Sequence, residues 1–206
     1  MLTALALLST IWCGEAGSFP PERVTLVVLN RLSLEDLLDN PNASFSRLAG
    51  MGGVGLMNTR TGGGLTPDNA YTSLGGGFRL VGAAGAKVAL PAQDEYHGEK
   101  AGDVYRRRTG KEVPSGSIVV LDIESIKANN LASIGIDRVG VIGGALREAG
   151  KKTALIGNAD GDECQRWAAL IAMDGTGQVT SGSIGMEMNR VDPEFPTGRR
   201  TDLDAL

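Results

Sequence analysis

Residues 24–29 read Val-Thr-Leu-Val-Val-Leu, an unbroken run of β-branched and aliphatic side chains. A strand with one wet face alternates apolar and polar residues. A strand that is apolar at nearly every position suits burial on both faces, as in a parallel sheet. Shorter runs of the same kind recur at 54–58 (VGLMN), 117–122 (SIVVLD) and 153–156 (TALI). Helical patterns separate them. Ser33 and Asp36 form a capping box for SLEDLLD, and Pro41 ends it. A second short helix is predicted over 44–49 with Gly50 as its stop, and another from Thr66-Pro67 to about Leu74. Over 137–149, Val139, Ile142, Leu146 and Ala149 share one face, Gly150 stops the helix, and Lys151-Lys152 suit its dipole. Asp174-Gly175-Thr176-Gly177, between apolar runs at 168–173 and 178–181, predicts a hairpin. The alternation implies an α/β fold, a mainly parallel sheet flanked by helices. Ligands then sit beyond the strands' carboxyl ends, in the loops after Leu29, Asn58 and Ile156.

The flanking segments read differently. Residues 1–12 (MLTALALLSTIW) have the length of a signal-peptide apolar core, and small residues follow up to Ser18. Residues 1–18 are therefore expected to be a signal peptide, which places the protein outside the cytoplasm. The run is shorter than the about 20 residues of a membrane-spanning helix. Residues 91–114 are polar and contain Arg106-Arg107-Arg108, which suggests an exposed excursion with a solvated basic face.

Composition removes several functions. The chain has 206 residues, 30 of them Gly, with two Cys, one His and a net charge of −4. Its length is that of one domain or a little more, and it can bury a real core. Two Cys exclude a four-cysteine zinc site, and one His excludes any site needing several histidines within these residues. The acidic balance gives no basic footprint, so no nucleic-acid partner is expected. If the signal peptide is removed, Cys13 leaves with it and Cys164 has no partner.

Most candidate motifs fail on context. Gly50-Met51-Gly52-Gly53-Val54-Gly55 fits G-x-G-x-x-G, but it follows a helix and precedes a strand, the reverse of the dinucleotide-binding order. Asn158, Asp160 and Asp162 resemble the start of a calcium loop, yet Glu163 replaces its Gly and Ala169 its final Glu. Contact with a substrate or ion remains open to them because they follow a strand. His97 reads as a surface residue. The most informative segment is 66–76, TPDNAYTSLGG. Thr66 suits the N-cap, Pro67 the first helical position and Asp68 the first turn. A hydroxyl there lies beside free N–H groups and the positive end of the dipole, surroundings that hold phosphate or sulfate and favour an alkoxide.

In this segment the chain resembles the alkaline phosphatase superfamily, which includes sulfatases, nucleotide phosphodiesterases and cofactor-independent phosphoglycerate mutases. The likeness sets 24–29 as the strand leading to the first metal ligand. It sets Thr66 as nucleophile and metal ligand, Asn69 as an assisting Asn, and Gly76 as the close of the helix. REAGKKTALIGNAD, at 147–160, resembles the family's helix–Gly–strand–Gly unit. The resemblance implies a divalent metal (zinc, magnesium or manganese) and a small phosphate or sulfate ester as substrate. It also implies that 19–206 are the N-terminal portion of an alkaline-phosphatase-like α/β domain, inactive alone, with the relation of a missing C-terminal part to the membrane undefined. Asn30 stands where the family has its first metal-binding Asp, and Arg31 where it has Gly. An amide is a poorer ligand for a divalent cation than a carboxylate. Glu35 and Asp36 read as first-turn helix charges rather than as replacements. The family's later His ligands cannot lie here, since His97 stands alone and too early. The alternative is a non-catalytic binding or structural module that has lost its metal site.

Overall fold

The computed structural model describes residues 23–28, 43–53, 55, 60–157, 159–161, 163–195, 198–202 and 204. The chain divides into two compact units, Met1–Val54 and Gly55–Leu206. In the first, α1 spans Ala43–Met51. Gly50 lies inside this helix instead of stopping it, and the Gly52 N–H returns to the Leu48 carbonyl at 3.0 Å. The expected strand is not formed at 24–28. That stretch has no regular structure, with Val24 80% and Leu26 62% exposed. An apolar run becomes a strand only where a neighbour supplies its ladder and cover, so β-propensity alone does not decide it. Leu29, the helix at 33–39 and four of the five residues of the strand at 54–58 lie outside the described residues.

The second unit opens with α2, Pro67–Gly76, capped by Gly77 at φ 59°. It runs past the end read locally near Leu74 and closes at Gly76, and backbone passes close against both Gly75 and Gly76. A Cβ at Gly75 would strike the Leu170 carbonyl, and one at Gly76 would lie 2.7 Å from the Arg138 carbonyl. After a 3-10 turn at Ala84–Lys87 come β1 (Ala89–Pro91), the hairpin β2–β3 (Glu95–Tyr96, Glu99–Lys100) and α3 (Ala101–Thr109). His97 at φ 52° and Gly98 at φ 84° make the two-residue hairpin turn. Thus 91–114, expected as an excursion, holds a hairpin and a helix whose Ala101, Val104 and Tyr105 are buried.

Next come β4 (Ile118–Val120) and α4 (Ile123–Ile134), then α5 (Val141–Glu148) and β5 (Ala154–Ile156). α5 starts later than predicted and presents Gly143 to the interior, while Ile142 and Leu146 stay partly exposed. It stops where the sequence placed the stop, with Gly150 at φ 69°. α6 (Ala169–Ala172) leads through the turn at 174–177 into β6 (Gln178–Val179) and β7 (Ser181–Ser183). The Asp-Gly-Thr-Gly turn therefore joins a helix to a strand, where a hairpin was expected. Asp174 shapes it by accepting the Thr176 N–H at 2.7 Å. A last ribbon pairs β8 (Asn189–Val191) with β9 (Arg199–Thr201).

The sheets correct the fold class. The largest has three strands in the order β1-β4-β6, with both pairings antiparallel. The other pairs have two strands each, and among them β5–β7 alone is parallel. A mainly parallel sheet flanked by helices is thus not the architecture. The run at 118–120 is fully buried, as its composition requires. Burial on both faces says nothing of strand direction, and the inference from one to the other is what failed. The core gathers around this strand from Leu80, Tyr105, Ile123, Ile126, Leu170, Met173 and Val179. Among the described residues no helix is long and apolar enough to cross a membrane.

Candidate functional site

Thr66 sits where the sequence placed it, as the extended residue before α2, at φ −111° and ψ 154°. Its carbonyl accepts the Ala70 N–H at 2.9 Å and its N–H donates to the Gly64 carbonyl at 2.9 Å. Its side chain makes no cap hydrogen bond, and the residue is exposed. The residue thus stands exposed at the helix start with its hydroxyl outside any cap bond.

The turn before it is built by Thr61 and the Gly-rich loop that the sequence shows at Gly62–Gly64. The Thr61 hydroxyl donates toward the carbonyls of Gly63 and Gly64, both at 2.9 Å, and Gly62 donates its N–H to the Leu80 carbonyl at 3.0 Å. A Cβ at Gly62 would lie 2.9 Å from the Arg79 carbonyl, and one at Gly63 would lie 2.9 Å from the Asn69 amide nitrogen. The glycines are there for close approach. A bare Gly cluster between helix and strand patterns was the available signal.

Asn69 is buried below this turn. Its Nδ2 donates to the Gly64 carbonyl at 2.9 Å and its Oδ1 accepts the Gly82 N–H at 2.6 Å. A carbonyl can only accept and an N–H can only donate, so these partners fix the amide's orientation. Asn69 thus joins two backbone segments, at Gly64 and Gly82. Asp68 lies beside Gly82, where a Cβ would come within 2.7 Å of its carboxylate. Asn30 and Arg31, Glu35 and Asp36 lie outside the described residues. Among the described residues, no three or more of His, Cys, Asp and Glu gather into a group able to hold a metal ion.

The loop after Ile156 holds a different arrangement. Asn158 and Asp162 lie outside the described residues. Asp160 turns inward to Arg166, with both side chains 8% exposed and the guanidinium 2.9 Å from Oδ2. Its Oδ1 accepts the Gln165 N–H at 2.7 Å, and Arg166 also donates to the Ala89 carbonyl at 3.1 Å. A buried pair bonded this way anchors the loop to β1. Cys164 beside it donates toward the Lys87 carbonyl, and burial pushes its thiol up. Lys87 pairs with Glu163, whose carboxyl is held low chiefly by that hydrogen bond.

The remaining candidates are surface features. His97 is exposed in the β2–β3 turn with its ring edge-on to Tyr96, centroids 4.3 Å apart. Arg106 pairs with Asp103 and Glu112, Arg107 with Glu99 at 2.6 Å, and Arg108 donates to the Leu121 carbonyl at 3.1 Å. Each guanidinium of α3 thus has a protein partner. No family model, no curated protein and no solved structure matches this chain.

Proposed function

We propose that this chain is a non-catalytic binding or structural module, related through its Thr66 segment to the alkaline phosphatase superfamily and without a working metal site. The observation that carries this reading is the use made of the polar groups around Thr66. Asn69, the assisting residue implied by the resemblance, holds Gly64 and Gly82 together. Away from Thr66, Asp160, one of the acids in the loop after Ile156, is buried against Arg166. That no three of His, Cys, Asp and Glu gather to hold a metal ion among the described residues supports this reading. Calorimetric titration with zinc, magnesium and manganese should show no tight, stoichiometric binding. One tightly held ion per chain, with turnover of aryl phosphate mono- or diesters, would overturn the proposal.

A second reading rests on the exposed Thr66 hydroxyl, which no cap bond engages. Thr66 Oγ1 would attack the phosphorus or sulfur of an ester and release its proton to water; the ester's O–P or O–S bond would break, the alcohol would leave, and water would then free phosphate or sulfate, with the N–H groups at the start of α2 facing the charge that develops. Hydrolysis that disappears in Thr66→Ala would carry this reading. Hydrolysis that persists in that variant would remove it. Export remains a proposal resting on residues 1–18.

A further inference from the structure

We propose that residues 80–82 and the turn at 61–66 open and close as one cooperative unit, locked by four side chains that take the place of a β-ladder. In a sheet, a strand's N–H and C=O groups are met by the backbone of its neighbour. At 80–82 side chains meet them. The Ser73 hydroxyl accepts the Leu80 N–H at 2.9 Å and donates to the Leu80 carbonyl at 3.0 Å. Asn130 accepts the Val81 N–H at 2.8 Å and donates to the Val81 carbonyl at 2.6 Å. Asn69 accepts the Gly82 N–H at 2.6 Å, and Asn129 donates to the Gly82 carbonyl at 2.9 Å. Ser73 and Asn69 come from α2, Asn129 and Asn130 from α4, so the segment is clasped from both sides.

Two links carry the clasp to the turn. The Gly62 N–H reaches the Leu80 carbonyl, and Asn69 Nδ2 reaches the Gly64 carbonyl. Asn130 is fully buried, and its second amide proton goes to the Ile126 carbonyl at 2.7 Å, so the group is saturated. Its side-chain bonds go to Val81 and Ile126 rather than to the turn, yet it fixes the segment on which the turn hangs. Asn130 is therefore a positioning residue for the surface that carries Thr66. Buried polar networks stabilise when every member is satisfied and are costly when one is removed, which makes the unit cooperative.

Native-state hydrogen exchange on the whole chain, followed by NMR, tests this. The amides of Gly62, Leu80, Val81 and Gly82 should share one opening equilibrium. Asn130→Ala should speed all four together by about tenfold or more, while Ala92 and Val120, bonded at the ends of the three-stranded sheet, keep their rates. Acceleration at Val81 alone would show independent bonds and overturn the proposal. Equal acceleration at Ala92 and Val120 would show general destabilisation and do the same. If Asn130→Ala does not fold, Asn129→Ala decides. Asn129 is exposed and gives a single donor to Gly82, so faster exchange at Gly62 supports coupling and an unchanged Gly62 rate refutes it.

Discussion

At the residue scale, two residues at the start of α2, Thr66 before it and Asn69 in its first turn, reverse the roles that their positions suggest. Thr66 has the identity and backbone of an N-cap, for which truncation ordinarily costs about 1 kcal/mol. Its hydroxyl makes no such bond, so Thr66→Ala should change stability by no more than about 0.5 kcal/mol. Asn69 looks like an ordinary first-turn polar residue, yet its loss leaves the Gly82 N–H buried without a partner. Asn69→Ala should cost about 1–3 kcal/mol. Denaturant titration of both variants checks the pair, and a larger loss in Thr66→Ala would contradict the described hydrogen bonding. Charge at the surface acts more weakly. Glu99 is held below its ordinary value of 4.5, first by its hydrogen bond to Arg107 and then by that cation's charge. A carboxyl lower in the folded than in the unfolded chain stabilises above the unfolded value, and the gain is lost as pH falls through the folded one. Stability should therefore decline below about pH 4.5 more steeply in the wild type than in Glu99→Gln at low salt. Because the pair is exposed, the difference should be small and should shrink at high salt.

At the element scale, glycine decides which helices pack closely. Gly75 on α2 and Gly143 on α5 both meet the backbone of 170–173, leaving no room for a Cβ, whereas Gly144 has nothing within 4 Å. Gly75→Ala and Gly143→Ala should each lose about 1–3 kcal/mol through overpacking. Gly144→Ala should be neutral or gain up to about 1 kcal/mol, since alanine is the better helix former. Thermal melts of the three variants separate packing glycines from merely permissive ones. The same helices mark how far the sequence can be read. The stop at Gly150, the strand at Ala154–Ile156 and the start of α2 are written in local signals that tertiary contacts did not override. α3 was hidden because its buried Ala101, Val104 and Tyr105 sit among three arginines and two other charged or polar residues. α4 was hidden because Asn130 occupies the apolar stripe that Ile123 and Ile126 begin. Its burial is met by the Ile126 carbonyl within the helix and by Val81, far away in sequence. The candidate site was legible at Thr66 and in the Gly cluster. Its supporting groups, Ser73, Asn129 and Asn130, form a pattern only once α2 and α4 are brought together.

At the scale of the whole molecule, strand direction is the property that composition could not supply. A fully buried Ile-Val-Val strand is equally at home in parallel and antiparallel surroundings, provided both faces are covered. Here β4 is flanked by β1 and β6, both antiparallel to it. The two arrangements differ in a measurable way. Antiparallel partners alternate between hydrogen-bonded pairs and closer pairs with Cα atoms about 4.5 Å apart, which parallel strands lack. The Leu121 N–H meets the Val88 carbonyl and the Ala92 N–H meets the Ser117 carbonyl, which sets the alternation between β1 and β4. Ala89 with Val120, and Pro91 with Ile118, are then the close pairs. On the other side the Val120 N–H bonds to the Gly177 carbonyl, so Val119 with Gln178 is the close pair. NOE spectroscopy should show strong Hα–Hα contacts at these three pairs and none between Ala154–Ile156 and Ser181–Ser183, the parallel partners. Contacts shifted by one residue would place β4 in another register and turn its side chains to the opposite faces. Their absence across β1, β4 and β6 would contradict the antiparallel pairing of these three strands.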